Sequence, residues 1–174
     1  KGKLKLPNED LGADMYQYLM HRLNHSKFQQ YEISNFAEKG HASTHNMTYW
    51  KNEEYYGFGA GASGYVNGKR YTNVNPVNHY IKAVQADKPP MLSFTIPTIK
   101  EQMEEEMFLG LRMNKGVNII RFKQKFDQSI YQVFGQTIHD LSQKELIKQN
   151  SNYLALTERG KVIGNEVFEA FLLS

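Results

Sequence analysis

His41 and His45 lie four residues apart in GHASTHNMTYW (40–50), followed by Asn46, Tyr49 and Trp50, the chain's single Trp. Two chemistries suit such a stretch. A His-x-x-x-His pair can bind zinc when both side chains share one helix face and further ligands join them. Here Ala42, Ser43 and Thr44 stand between, with no Glu, and Gly40 and Ser43 weaken a helix. The pair is therefore not read as a zinc site. A single His among aromatic rings can instead ligate haem iron while the rings pack on the macrocycle. The competing reading is a hydrogen-bonded structural His, the commoner fate of one beside aromatics.

Two other patterns invite chemistry. Gly59-x-Gly61-x-x-Gly64 has the form of a dinucleotide fingerprint. That fingerprint works where a strand meets a helix N-terminus. A hairpin signal follows here, so the glycines are read as allowing close backbone approach, with a ligand open as an option. Glu104, Glu105 and Glu106 are consecutive. On a helix they point about 100° apart and do not converge on a metal, so a solvated face is expected.

The elements that must position these residues follow from pattern. Asn8 starts a helix over 8–27 with Leu11, Met15, Leu19 and Leu23 on one stripe. Residues 29–37 read as a short strand, and 38–58 as a long loop carrying the histidines. Asn67-Gly68 marks a type I′ hairpin between Tyr65-Val66 and Lys69-Arg70-Tyr71. Pro76 opens a short helix to about 86, Pro89-Pro90 breaks it, and 91–98 forms one more strand. Thr98-x-x-Glu101 is a capping box for a helix to about 113 carrying Met103, Met107 and Leu111. Asn114–Gly116 is a turn. Short helices are expected at 119–126, 128–134 and 136–145, then extended chain from Ile147, a turn at 150–152, a strand at 153–156 and a last helix capped by Thr157. Helices, a hairpin and a helix suggest a winged-helix-like subdomain. The expected boundary lies near 97–100.

Composition narrows function. The chain has 174 residues, 40% hydrophobic and 13% aromatic, enough for one domain or two small ones. Its net charge of +3 does not imply nucleic acid. Residues 98–174 carry ten Lys+Arg against ten Asp+Glu, and 135–149 offers Lys144 and Lys148 against Asp140 and Glu145. A recognition helix needs a basic footprint, so packing is preferred and no nucleic-acid partner is expected. There is no Cys. Disulfides, zinc thiolates and iron–sulfur thiolate ligands are excluded within this chain. No apolar run approaches the roughly 20 residues of a membrane span. The opening KGKLKLPNED has no signal-peptide core and no initiator Met, which suggests a start inside a longer protein.

YEISNFA (31–37), G-H-x-S-x-H-N-x-x-Y-W (40–50) and Y-x-G-F-G-A-G-A (55–62) together resemble the oxygen-independent coproporphyrinogen III oxidase family of radical S-adenosylmethionine proteins. The His45-Asn46-x-x-Tyr49-Trp50 form resembles its haem-chaperone, HemW-like branch. MFLGLRMNKGV (107–117) and LALTERG (154–160) are similar to that family's C-terminal domain. The resemblance implies a C-terminal portion of such a protein, α+β as a piece of an α/β fold. YEISNF would be the last strand of a (β/α)6 partial barrel, with 65–71 and 91–97 extending the sheet antiparallel. Residues 1–97 would close the barrel, and 98–174 would form the winged-helix-like C-terminal domain.

The family's chemistry uses S-adenosylmethionine and a four-iron, four-sulfur cluster, whose Cys ligands would lie outside this chain. Ala37 matches a position lining the S-adenosylmethionine site, with Phe36 and Asn35 beside it. His45, with Asn46, Tyr49 and Trp50, would be the haem motif, and His45 the candidate iron ligand. No residue is assigned as catalytic, and this chain alone is expected to show no turnover of coproporphyrinogen. The implied partners are haem or porphyrin and haem-accepting proteins, in the cytoplasm. The alternatives are the oxidase itself, which decarboxylates coproporphyrinogen III to protoporphyrinogen IX, and a protein-interaction module. One departure stands out, because family members commonly carry a His after the GAGA run and Ser63 stands there here.

Overall fold

A computed structural model describes residues 8–173, so the opening KGKLKLP lies outside the described residues. The described chain forms two compact units, one of residues 8–43 and 111–172, the other of 44–110 and 173. All named strand pairings among the described residues are antiparallel.

The first unit opens with α1 (Glu9–Asn24). Asn8 caps it, its side chain accepting from Leu11 N–H at 2.8 Å. The stripe read from sequence does not become core: Leu11, Met15 and Leu19 are exposed. Met20 is buried, and Tyr16, one helical turn earlier, donates its hydroxyl to the Ile33 carbonyl at 3.2 Å.

The segment expected to be one parallel barrel strand is instead a hairpin, β1 (Phe28–Glu32) and β2 (Asn35–Glu38). Its turn has a local cause. Fully buried Glu32 accepts from Ser34 N–H at 2.8 Å and from Asn35 Nδ2 at 2.6 Å, holding Ile33-Ser34 folded back. Gln30 is buried on the same strand and is also satisfied, donating to Tyr16 Oη and the Ile33 carbonyl and accepting from Lys161 Nζ at 3.0 Å.

The chain then enters the second unit. The expected loop contains α2 (Thr44–Trp50). The Asn-Gly hairpin is present as β3 (Ser63–Val66) and β4 (Lys69–Asn73), with Asn67 at φ 52° and Gly68 at φ 71°, as a type I′ turn requires. α3 (Val77–Gln85) and β5 (Met91–Thr95) follow, and β5 pairs with β4 to give the order β3-β4-β5. In α4 (Ile99–Arg112), the Thr98 N–H donates to the Glu101 carboxylate at 2.6 Å and Glu101 N–H to Thr98 Oγ1 at 3.2 Å, the expected capping box. Met103 and Met107 are buried on this helix.

Back in the first unit, β6 (Val117–Asn118) leads to α5 (Ile119–Phe126) and α6 (Ile130–Gln143). The two helices expected over 128–145 are one, kinked at Phe134 (φ −120°). β7 (Ile147–Asn150) and β8 (Tyr153–Leu156) form the later hairpin, and the sheet order is β6-β8-β7. The last helix is split at Ile163 into α7 (Glu158–Val162) and α8 (Gly164–Glu169). Phe122, Ile130, Phe134, Leu154, Val167 and Phe171 are almost fully buried and form this unit's core.

Ser129 caps α6 in a full capping box, with Gln132 returning a side-chain acceptor to the Ser129 N–H at 2.8 Å. Ser129→Ala should cost about 1 kcal/mol of stability, measured by urea unfolding. An unchanged midpoint would mean water replaces the cap without loss.

Candidate functional site

The candidate residues His45, Asn46, Tyr49 and Trp50 lie on α2. His45 and Tyr49 are one turn apart, and the Tyr49 hydroxyl hydrogen-bonds His45 Nε2 at 3.1 Å. Their rings meet edge-to-face at 4.7 Å, and Tyr49 meets Tyr55 in the same way at 4.4 Å. His45 itself is exposed, whereas Asn46, Tyr49 and Trp50 are half-buried. His41 precedes the helix and is also exposed, so the two histidines do not share a helix face. Among the described residues, no group of three or more His, Asp or Glu side chains is placed to hold a metal ion.

Behind Tyr55 stands a polar cluster that the sequence did not announce. Tyr55 and Tyr65 exchange backbone hydrogen bonds at 2.8 Å each way. The Arg70 guanidinium lies 4.5 Å from the Tyr65 ring centre. Arg70 also grips Glu105 through Nε at 3.0 Å and Nη2 at 2.6 Å, and donates to Asn52 Oδ1 at 3.2 Å. Asn52 is buried in the left-handed region at φ 51°, and its N–H bonds the Tyr49 carbonyl at 2.9 Å, closing α2.

Burial works against the Arg70 cation, but the bond to Glu105 and its charge outweigh burial and leave the pKa above the usual arginine value. Burial raises the Tyr55 and Tyr65 phenols despite the opposing Arg70 charge. The expected solvated glutamate face is thus corrected. Glu104 accepts from Leu173 N–H at 2.7 Å, Glu105 holds Arg70, and buried Glu106 meets Asn52 Nδ2 at 3.4 Å. The three side chains diverge, as helical geometry requires, but each has a protein partner.

The same unit holds an aromatic cleft of about 630 Å³, lined by Tyr56, Phe58, Tyr71, Tyr80 and Phe94 with Lys69. Gly57 and Phe58, at the start of the glycine run, form part of one wall. Buried Asn73 donates from Nδ2 to the Gly57 and Gly59 carbonyls, both at 3.0 Å. The N–H groups of Gly57 and Gly59 donate to the Tyr71 and Tyr80 hydroxyls at 2.9 and 3.2 Å. Gly59 sits at φ 103°, and at Gly64 a Cβ would enter the Tyr71 ring. At Gly57 a Cβ would meet the Ser63 carbonyl, so close approach is what Gly57 and Gly64 provide, and β3 begins at Ser63 where a dinucleotide site needs a helix. The alternation of Tyr and Phe with Gly over 55–59 was the available signal for this cleft.

Asn35, Phe36 and Ala37 lie on β2 in the other unit, half-buried and paired with Glu32, Gln30 and Gln29. Asn35 is engaged by Glu32. A cleft of about 760 Å³ in that unit is lined by Tyr16, Ile33, Ser34, Arg112 and Lys161 among others, and not by these three residues.

Residues 98–163 match the HemN C-terminal domain. Over 173 residues, 99% of its length, the chain is 46% identical to "Heme chaperone HemW" of Lactococcus lactis subsp. lactis, covering 45% of that protein. It is 47% identical to "Heme chaperone HemW" of Bacillus subtilis over 172 residues, 99% of this chain and 45% of the relative. Along nearly its whole length the chain is similar to HemW proteins, and over residues 98–163 to the HemN C-terminal domain. It spans under half the length of these HemW relatives. The fold agrees: a structure titled "Coproporphyrinogen III oxidase (HemN) from Escherichia coli is a Radical SAM enzyme" matches with a TM-score of 0.73 at 14% identity, covering 96% of this chain and 42% of that one. That likeness speaks to the mixed helix-and-sheet fold alone. Among the described residues no helix is long and apolar enough to cross a membrane.

Proposed function

We propose that the chain is the haem-binding portion of a HemW-like haem chaperone. One observation carries this reading: the near end-to-end similarity to proteins named as heme chaperones, which includes the stretch bearing His45-Asn46-x-x-Tyr49-Trp50. The geometry supports His45 as the haem contact. Its ring stands exposed at the start of α2, and Tyr49 and Tyr55 back it in an edge-to-face series. An imidazole whose Nε2–H donates to a hydroxyl oxygen keeps the lone pair of its other nitrogen for iron. Asn46, Tyr49 and Trp50 complete the motif as packing around that His.

The reading extends to the longer protein as follows. Residues 1–97 would close a partial (β/α)6 barrel, with Asn35, Phe36 and Ala37 toward S-adenosylmethionine, and 98–174 would be the winged-helix-like C-terminal domain. A four-iron cluster needs thiolates. This chain has no Cys, so its own residues do not fit that cluster. Haem-accepting proteins would be the partners and the cytoplasm the compartment. The fold likeness to the E. coli enzyme keeps the oxidase as the second reading.

The test is the absorption of haemin bound to the chain. His45→Ala should shift or abolish the Soret band of the complex. A spectrum identical to that of the unaltered chain would remove His45 as the iron ligand.

A further inference from the structure

We propose that the aromatic cleft lined by Tyr56, Phe58, Tyr71, Tyr80 and Phe94 seats a planar, carboxylate-bearing tetrapyrrole, gripping the macrocycle itself whether or not it carries a metal. The inference rests on the haem reading above and deepens it, because none of the motif residues His45, Asn46, Tyr49 or Trp50 lines this cleft.

Shape and chemistry argue for it. The cleft, about 630 Å³, lies within the ordinary range of roughly 300–1,000 Å³ for small-molecule sites. Phe58, Tyr56 and Phe94 are 85%, 68% and 57% exposed, an unusual display of rings for water to cover. Tyr56 and Phe58 stack with their ring centres 6.1 Å apart and their planes 29° apart, adding a paired aromatic surface to the lining. A flat, apolar macrocycle is the ligand that covers several such rings at once.

Charge selects further. Among the described residues Lys69 is the one charged side chain in the lining and no carboxylate joins it, and its Nζ sits 5.4 Å from the Phe94 ring centre. A single cation beside a ring surface suits a ligand with a few carboxylates on its edge. It does not suit a nucleic acid, whose phosphates need several cations. The walls are also preformed. Asn73, Tyr71 and Tyr80 tie the glycine strap in place, so little ordering is left for the ligand to impose.

The experiment titrates the chain with metal-free protoporphyrin IX, followed by fluorescence, and with haemin, followed by absorption. The variants are Phe58→Ala/Phe94→Ala, which removes exposed rings, and Val84→Glu, which sets a carboxylate at the cleft from exposed α3. Circular dichroism confirms folding. Each variant should bind both ligands about tenfold or more weakly. If the unaltered chain binds haemin and the cleft variants match it for both ligands, the cleft assignment falls and the haem reading stands. If protoporphyrin IX binds with sensitivity to the cleft variants while haemin does not bind, the cleft stands and the haem reading falls. If the unaltered chain binds neither, both fall.

Discussion

Phe122→Ala should destabilise the unit that contains it by about 3–5 kcal/mol. Phe122 has no exposed surface. Its ring lies 4.7 Å from Phe126 and 6.2 Å from Phe134, and Phe134 in turn meets Phe171 edge-on at 5.4 Å. The ring thus ties α5 to α6 and, through Phe134, to the chain after α8. Truncation removes its transfer free energy and opens a cavity among side chains already in contact. Urea unfolding should show a lower midpoint at an unchanged slope. Ile120→Ala, two residues away and 48% exposed, should stay within about 0.5 kcal/mol. A loss below about 1 kcal/mol for Phe122→Ala would mean the core collapses to fill the space, contrary to this packing.

Elements whose cause is local were legible in the sequence. Asn67-Gly68 supplies both positive-φ residues of its turn, and Thr98-x-x-Glu101 supplies both halves of its cap. Thr157 likewise caps α7, accepting from Gly160 N–H at 3.0 Å. Elements whose cause is distant were not legible. β1 and β2 read as one strand because the turn between them depends on a buried Glu32 carboxylate, a residue that sequence reasoning assigns to solvent. α2 has no apolar period and buries no residue fully, so nothing in its seven residues distinguishes it from loop. Its end is set by Asn52, whose side chain reaches Glu106, 54 residues on. The glutamate run fails for the same reason: Glu105 meets Arg70 across 35 residues, and Glu104 meets Leu173 across 69. The candidate site divides along this line. The motif carrying His45 could be picked out by residue type, while the cleft beside the glycine run depends on Asn73, Tyr71 and Tyr80 converging on backbone groups.

Glu105→Leu should cost about 2–3 kcal/mol, and Arg70→Met introduced with it should recover a large part of that loss. The side chains of Arg70 and Glu105 are 28% and 19% exposed, so the pair is mostly but not fully withdrawn from water. Burial alone would lower the Arg70 pKa, and Glu105 reverses it. Removing the carboxylate therefore leaves a largely withdrawn cation without its counter-charge, beside Asn52 Oδ1, the Tyr65 face and the Tyr55 hydroxyl. Removing both charges leaves an apolar pair of similar volume, which ordinarily costs far less than breaking the pair. A double-mutant cycle reads the coupling directly, and additive single losses would show that the contact contributes nothing beyond its two halves. The same cluster anchors the end of α2, since Arg70 and Asn52 are bonded and Asn52 closes the helix on the Tyr49 carbonyl. Glu105→Leu should accordingly speed hydrogen exchange at the Lys51 and Asn52 amides, which bond the Met47 and Tyr49 carbonyls, more than at the Asn67-Gly68 hairpin. Equal acceleration at both places would mean the whole unit loosens and that this network does not hold the helix bearing His45.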